Sequence, residues 1–162
     1  MRHPLFAPIA LGHWLLLAAT PLFASTLPVA EDLQADGRLS RQAAMPIMVF
    51  YATDSCPYCE LVRELYLQPM YDSKAYSGKV LFRVVKINSV EGVRDFSGRQ
   101  LSHGSLASQQ GVSFVPVIRF YDPAGRELVP ELFGYTSPDF YAGFLEESIA
   151  TSVAKMRVQQ GM

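Results

Sequence analysis

Ile47-Met48-Val49-Phe50-Tyr51-Ala52-Thr53-Asp54-Ser55-Cys56-Pro57-Tyr58-Cys59-Glu60-Leu61-Val62-Arg63-Glu64-Leu65-Tyr66-Leu67 is the stretch that decides the fold. Its first five residues form a continuous apolar run of strand length, the pattern of an interior strand covered on both faces. From Glu60 onward, Leu61 and Leu65, and Val62 and Tyr66, recur four residues apart, which is helix spacing. Ser55 or Asp54 can cap that helix, and Pro57 fits its first turn, where a missing N–H does no harm. Pro69 is expected to kink or end it.

The junction between strand and helix carries both cysteines of the chain, Cys56 and Cys59. At a helix start, unsatisfied backbone N–H groups point outward and stabilise a thiolate. The Cys56 thiol is therefore expected to ionise below the free value, in the range of roughly 3.5–7.5 known for such settings. Cys59 follows nearly one turn deeper, close enough to attack a mixed disulfide on Cys56. Pro57 restricts the intervening loop and Tyr58 crowds it, and both tune how readily the pair oxidises. A purely structural bridge closing so short a loop would add little stability. A zinc site would need two more ligands, so no metal or other cofactor is expected beyond the redox pair. Copper(I) favours paired thiolates, which leaves a non-enzymatic copper or thiol-binding chaperone as a reading of another class. The six methionines form no cluster to support it.

Working outward, residues 29–44 read as a short amphipathic helix, loosely bound by Gly37. Val80–Ile87 is a second apolar strand, and 88–101 a polar loop with Gly92 and Gly98, about ten residues longer than the usual connection. Residues 102–110 read as a short helix that Gly111 stops, with His103 near its start and without a catalytic role. Ser113–Tyr121 is a third strand with Pro116 inside it. A cis bond between Val115 and Pro116 would reconcile a proline with so apolar a run. Residues 122–125 form a turn, and 126–133 return as a hairpin partner. Ser137 and Pro138 open a last helix, in which Phe140, Phe144, Ile149, Val153 and Met156 form an apolar stripe. Phe114, Phe120, Tyr121, Phe133, Phe140 and Phe144 are expected in the core. Strands separated by helices pair in parallel, and the late hairpin adds an antiparallel edge. The expected fold is α/β, a four-stranded mixed sheet flanked by helices with an N-terminal helix.

With 162 residues, 49% of them apolar and 18% charged, the chain has a core for one domain and is not disordered. Its 14 Lys and Arg balance 15 Asp and Glu, so the basic face of a nucleic-acid binder is not expected. Arg2 followed by an apolar run from Leu5 to Ala24 reads as a secretory signal peptide over residues 1–24. Leu22 disturbs the cleavage pattern, which keeps an uncleaved membrane anchor open. Arg2 is the only charged residue there, so removal leaves 13 bases against 15 acids. His3, His13 and Trp14 leave too, and His103 becomes the one histidine. Residues 25–44 then form an N-terminal extension with its helix, and 45–157 the main domain.

Cys56-Pro57-Tyr58-Cys59 after a buried strand, Val115-Pro116 at the third strand and Gly134 after the hairpin together resemble the thioredoxin superfamily over about residues 45–150. The resemblance implies a thioredoxin-like fold and a thiol–disulfide oxidoreductase. Cys56 would attack substrate disulfides and Cys59 would resolve them. Pro116 would border the substrate groove, with Val115 pairing to the substrate backbone. The run from Phe50 to Cys59 looks most like exported bacterial thioredoxin-like proteins of sulfur-oxidation or disulfide-maintenance systems. That points to the periplasm, to protein thiols and disulfides as substrates, and to a membrane thiol donor or acceptor as redox partner. A reductant role is favoured, with a disulfide oxidase as the rival. The pattern departs at Ser55, where thioredoxins carry tryptophan, and at Pro57-Tyr58, where they carry Gly-Pro. Ile47 to Tyr51 also lack the buried aspartate that serves the second cysteine. Asp54, Glu60 and Glu64 are the available substitutes, though solvated carboxylates are the simpler reading of each. Glutaredoxins share Cys-Pro-Tyr-Cys, but their glutathione-binding signatures are not evident.

Overall fold

A computed structural model describes residues 26–136 and 138–161. The segment read as a signal peptide lies outside the described residues. Strand β1 (Ile47–Ala52) is buried at every position, as its unbroken apolar run requires. It pairs in parallel with β2 (Leu81–Lys86) and antiparallel with β5 (Val117–Tyr121), which carries the two-residue β6 (Leu132–Phe133) on its far side. The sheet, in the order β2-β1-β5-β6, is four-stranded and mixed as expected, but β5, which follows a helix, runs antiparallel to β1 and not parallel as the helix before it suggested.

Side chains alternate across β1, so the sheet divides the core in two. Met48, Phe50 and Ala52 face one cluster with Cys59, Val62 and Leu145. Ile47, Val49 and Tyr51 face the other, with Leu33, Leu106 and Tyr121. Truncating a side chain as enclosed as Phe50 to alanine would cost about 3–5 kcal/mol. Within the second cluster the Tyr51 and Tyr121 hydroxyls lie 2.8 Å apart.

Several elements differ from the sequence reading. The N-terminal helix α1 (Leu33–Ala43) starts later than expected, with Asp32 capping it by accepting from the Ala35 N–H at 2.8 Å. Ahead of it the chain is extended along the free edge of β2, where Ala30 N–H donates to Val84 and Val84 N–H to Pro28. Gly37 does not bound α1, which runs on to Ala43. It lets the helix backbone approach the next layer, since a Cβ there would lie 2.4 Å from the Pro123 carbonyl oxygen.

Pro69 does not end the helix after Cys56. Helix α2 (Pro57–Val62) passes through a π-turn (Arg63–Leu67) into α3 (Gln68–Asp72). The buried positions are Cys59, Val62, Leu67 and Met70, so the central step is five residues, too long for one face of an α-helix. One widened turn, closed by Gln68 N–H to the Arg63 carbonyl, returns Leu67 to the core side. Pro69 then falls early in α3, where a missing donor is tolerated.

Residues 88–101 are not simply a loop. They hold most of a small hairpin, β3 (Gly92–Arg94) and β4 (Gln100–Ser102). Its turn, Asp95-Phe96-Ser97-Gly98-Arg99, has the same pattern as Asp122-Pro123-Ala124-Gly125-Arg126 after β5. In each, one oxygen of the buried aspartate accepts backbone N–H groups two and four residues on, and the other accepts from the arginine Nε. The two turns meet, and a Cβ on Gly125 would lie 2.6 Å from the Phe96 ring.

Helix α4 (His103–Gln109) is capped by Ser102 and followed by Gly111 with φ 71°. Helix α5 (Pro138–Gln159) buries Tyr141, Leu145, Ile149, Ser152 and Met156. Phe140 and Phe144 therefore fall off its core stripe. With Phe114 and Phe133 they are exposed, at 64%, 52%, 69% and 60%, against the expectation of burial. Phe120 and Tyr121 are buried. Among the described residues, no helix is long and apolar enough to cross a membrane.

Candidate active site

Ala52 ends β1, and four residues later Cys56 occupies the cap position of α2 with an extended backbone (φ −103°, ψ 106°). Pro57 follows at the first helical position, where its fixed φ suits helix entry. Cys56 and Cys59 are joined as a disulfide with a Cα–Cα distance of 5.2 Å. The Cys59 N–H donates to Cys56 Sγ at 3.0 Å, and the Glu60 N–H donates to the Cys56 carbonyl at 3.1 Å. The helix start thus aims a backbone donor at the sulfur of Cys56, which would stabilise a thiolate formed there on reduction. The two sulfurs differ in access: Cys59 is 0% exposed within the core, whereas Cys56 is half-buried at its edge.

Tyr58 stands 59% exposed on the rim, and its ring lies 6.2 Å from that of Tyr135. Tyr135 in turn contacts Tyr66 and Tyr141, giving a cluster of four tyrosines beside the dithiol. The hydrogen bond between the Tyr66 and Tyr135 hydroxyls, helped by burial, pushes the Tyr66 phenol up to about 12. Burial also pushes the Tyr141 phenol up. Tyr58 and Tyr66 come from one stretch and Tyr135 and Tyr141 from another far along the chain, so only the fold brings the two pairs together.

Register places the third element. Tyr51 pairs with Val117, so Val115 and Pro116 lie at the same end of the sheet as the chain leading to Cys56. The Val115–Pro116 peptide is cis. Pro116 is buried, and its carbonyl accepts the Gly134 N–H at 2.8 Å. Val115 is half-buried, and its N–H and carbonyl bond to no other group among the described residues.

Among the described residues, no carboxylate is buried beside Cys59. Asp54 pairs with Lys86 at 3.1 Å and Glu60 with Arg63 at 3.8 Å, both acids on the surface, and Glu64 is exposed. The solvated reading of these acids holds. Lys86 bridges to a group outside the expected site, because its backbone N–H donates to Nδ1 of buried His103 at 3.2 Å. Burial depresses the His103 pKa below 6.5, against the opposing pull of Glu91. No group of three or more histidine, cysteine, aspartate or glutamate side chains able to hold a metal ion occurs among the described residues.

The arrangement can do dithiol–disulfide chemistry: a half-buried cysteine with a backbone donor aimed at its sulfur, a buried sulfur bonded to it, and an open rim. The Thioredoxin-like domain family matches residues 33–149, a span that includes α1. A search of curated protein sequences finds no match. Among solved structures, the chain is similar to a DsbH oxidoreductase, with 18% identity, a TM-score of 0.54, and 86% of this chain and 95% of that one covered. It is also similar to oxidised mitochondrial thioredoxin 3 from Saccharomyces cerevisiae, with 14% identity, a TM-score of 0.52, and 76% and 93% covered. A mutant poplar thioredoxin h matches with 12% identity, a TM-score of 0.53, and 82% and 88% covered. At these identities the structural likeness speaks for the fold.

Proposed function

The chain belongs to the thioredoxin-like family and is a thiol–disulfide oxidoreductase, and from that premise we propose that it is an exported reductant of protein disulfides. The observation that carries the division of labour is the unequal access of the two sulfurs. Cys56, at the surface edge, meets the substrate, and Cys59, enclosed behind it, resolves the intermediate.

The cycle begins with both cysteines reduced. The Cys56 thiolate attacks one sulfur of a substrate disulfide. That bond breaks, and the departing substrate thiolate takes up a proton. The Cys59 thiolate then attacks Cys56 Sγ, closing the Cys56–Cys59 disulfide and releasing the second substrate thiol. Two electrons have passed from the protein to the substrate, and a membrane-borne dithiol donor returns them. Pro57 and Tyr58 set the ease of oxidation. Val115 offers free backbone groups to an extended substrate segment, and Pro116 forms the border of that groove. No further cofactor enters the cycle.

Residues 1–24 support export, because a single positive charge precedes a short apolar run, and the resemblance of residues 50–59 to exported bacterial thioredoxin-like proteins supports a periplasmic role in sulfur oxidation or disulfide maintenance. Fractionating cells that express the full chain and a version lacking residues 1–24 tests this. Loss of the shorter chain from the periplasmic fraction is expected, and equal distribution would overturn it.

The chemistry is tested by trapping. The Cys59→Ser variant should accumulate mixed disulfides with cellular proteins, and adding Cys56→Ser should abolish them. Absence of any covalent adduct would remove the substrate-attacking role from Cys56. Equilibration against glutathione fixes direction: a potential near that of strong oxidants, about −120 mV, would assign an oxidase instead.

A further inference from the structure

Beside the dithiol end, β6 and α5 leave a cleft of about 400 Å³. Its apolar wall comes from Val129, Leu132, Phe133, Tyr141 and Phe144. Phe133 and Phe144 are more than half exposed, although each would be better placed out of water. No strand lies beyond β6 among the described residues, so this edge of the sheet is open.

Two features identify what fits there. The first is charge. The charged residues lining the cleft are Glu131 and Glu147, both acidic, and no lysine or arginine lines it. Glu131 is matched by Arg119 at 2.7 Å, whereas Glu147 has no ion-pair partner among the described residues. The second is continuity with the dithiol. From Tyr58, ring contacts of 6.2 Å to Tyr135 and 5.4 Å to Tyr141 lead into the cleft wall. An extended chain covering that path at about 3.3 Å per residue needs about three to five residues.

We propose that this cleft is a docking subsite for polypeptide substrates. It takes an apolar side chain that neighbours a lysine or arginine and lies about three to five residues from the cysteine bonded to Cys56. The apolar side chain covers Phe133 and Phe144, and the cation meets Glu147. The inference rests on Cys56 being the sulfur that bonds the substrate. It adds a selectivity that attack at Cys56 alone does not supply.

The test uses the full chain, reduced, with nine-residue peptides carrying one cysteine as a mixed disulfide with glutathione. One peptide places Leu-Arg four residues from the cysteine, and its controls replace leucine with serine or arginine with glutamate. Bis(2-hydroxyethyl) disulfide serves as a substrate too small to reach the cleft. Thr151→Trp fills the cleft from an exposed helix position, and Glu147→Lys reverses its charge. Thr151→Trp should raise KM for the Leu-Arg peptide about tenfold, with kcat and the small-disulfide rate unchanged. Glu147→Lys should raise it about threefold and favour the glutamate peptide. Equal KM values across the peptides would overturn the subsite. So would a Thr151→Trp effect that is the same on both substrate sizes, or one seen only as loss of a dimer in sedimentation. If the wild-type protein reduces neither substrate, the role of Cys56 fails first and the subsite with it.

Discussion

At one end of β1, Ile47 pairs with Tyr121, and the next turn is closed by a buried aspartate that accepts two backbone N–H groups and a guanidinium. The turn at 95–99 repeats that construction against it, and Gly37 and Gly125 let α1 and the two turns approach closely. At the other end, Ala52 runs into a disulfide at a helix start, surrounded by exposed aromatics and a Val115 whose backbone groups have no partner among the described residues. The first end satisfies its polar groups internally and packs its backbone too tightly for a Cβ. The second keeps groups available. The fold therefore divides stability from reactivity along a strand of six residues, and substitutions at the two ends should separate the same way.

The sharpest test of that division is Gly125→Ala. Its φ of 79° and the 2.6 Å approach to Phe96 both oppose a Cβ, so unfolding in urea should show a loss of about 3 kcal/mol, while the rate of disulfide exchange stays unchanged. A matching loss of exchange rate would break the comparison. Next, Asp122→Ala orphans the two N–H groups and the guanidinium of its turn and should cost about 2 kcal/mol by the same measurement.

Acid separates the ends by pH. Burial lowers the His103 pKa, so the folded state holds the neutral ring and the unfolded chain protonates first. Stability tied to His103 is then complete above about 6.5 and falls as pH drops through the folded pKa. Unfolding curves should show stability declining between pH 7 and pH 5, and His103→Asn should flatten that decline. Asp95 behaves differently. Burial opposes its charge, but the hydrogen bonds from Ser97 and Arg99 prevail and lower its pKa. Its share of stability is present above 3.8 and lost only below that, as pH falls through its folded pKa. Hydrogen exchange resolved by residue should therefore see the His103 region loosen first and the 95–99 turn later. The reverse order would count against the division. The smallest effect is expected at Phe114, 69% exposed, where Phe114→Ser should change stability by no more than about 0.5 kcal/mol.

How much of this was legible in the sequence follows from the reach of each signal. The all-buried β1, the cysteines at the helix start and the order of the main elements depend on neighbours within a few residues, and those readings agree with the structure. The strands at 92–94 and 100–102 are too short to show a period, and a side chain at Asp95, not a hydrophobic pattern, closes their hairpin. The π-turn was hidden because Pro69 reads as a stop unless the five-residue step from Val62 to Leu67 is recognised. On α5 the apparent stripe through Phe140, Phe144 and Ile149 has a last step of five residues, which breaks helical spacing. The stripe through Tyr141, Leu145 and Ile149 keeps true helical spacing. Residue type alone points the exposed phenylalanines to the core, because it carries no information about facing. The tyrosine cluster joins two distant stretches, one with Tyr58 and Tyr66 and one with Tyr135 and Tyr141, and so has no local trace.

That cluster has an optical consequence. The chain contains one tryptophan, Trp14, outside the described residues, so the ultraviolet emission of the described residues comes mainly from their eight tyrosines. Four of them, Tyr58, Tyr66, Tyr135 and Tyr141, form a chain of ring contacts that begins beside the Cys56–Cys59 bond, a quencher of aromatic emission. Opening and closing that bond should therefore change the brightness of the protein itself, so that its electron traffic can be followed without a dye.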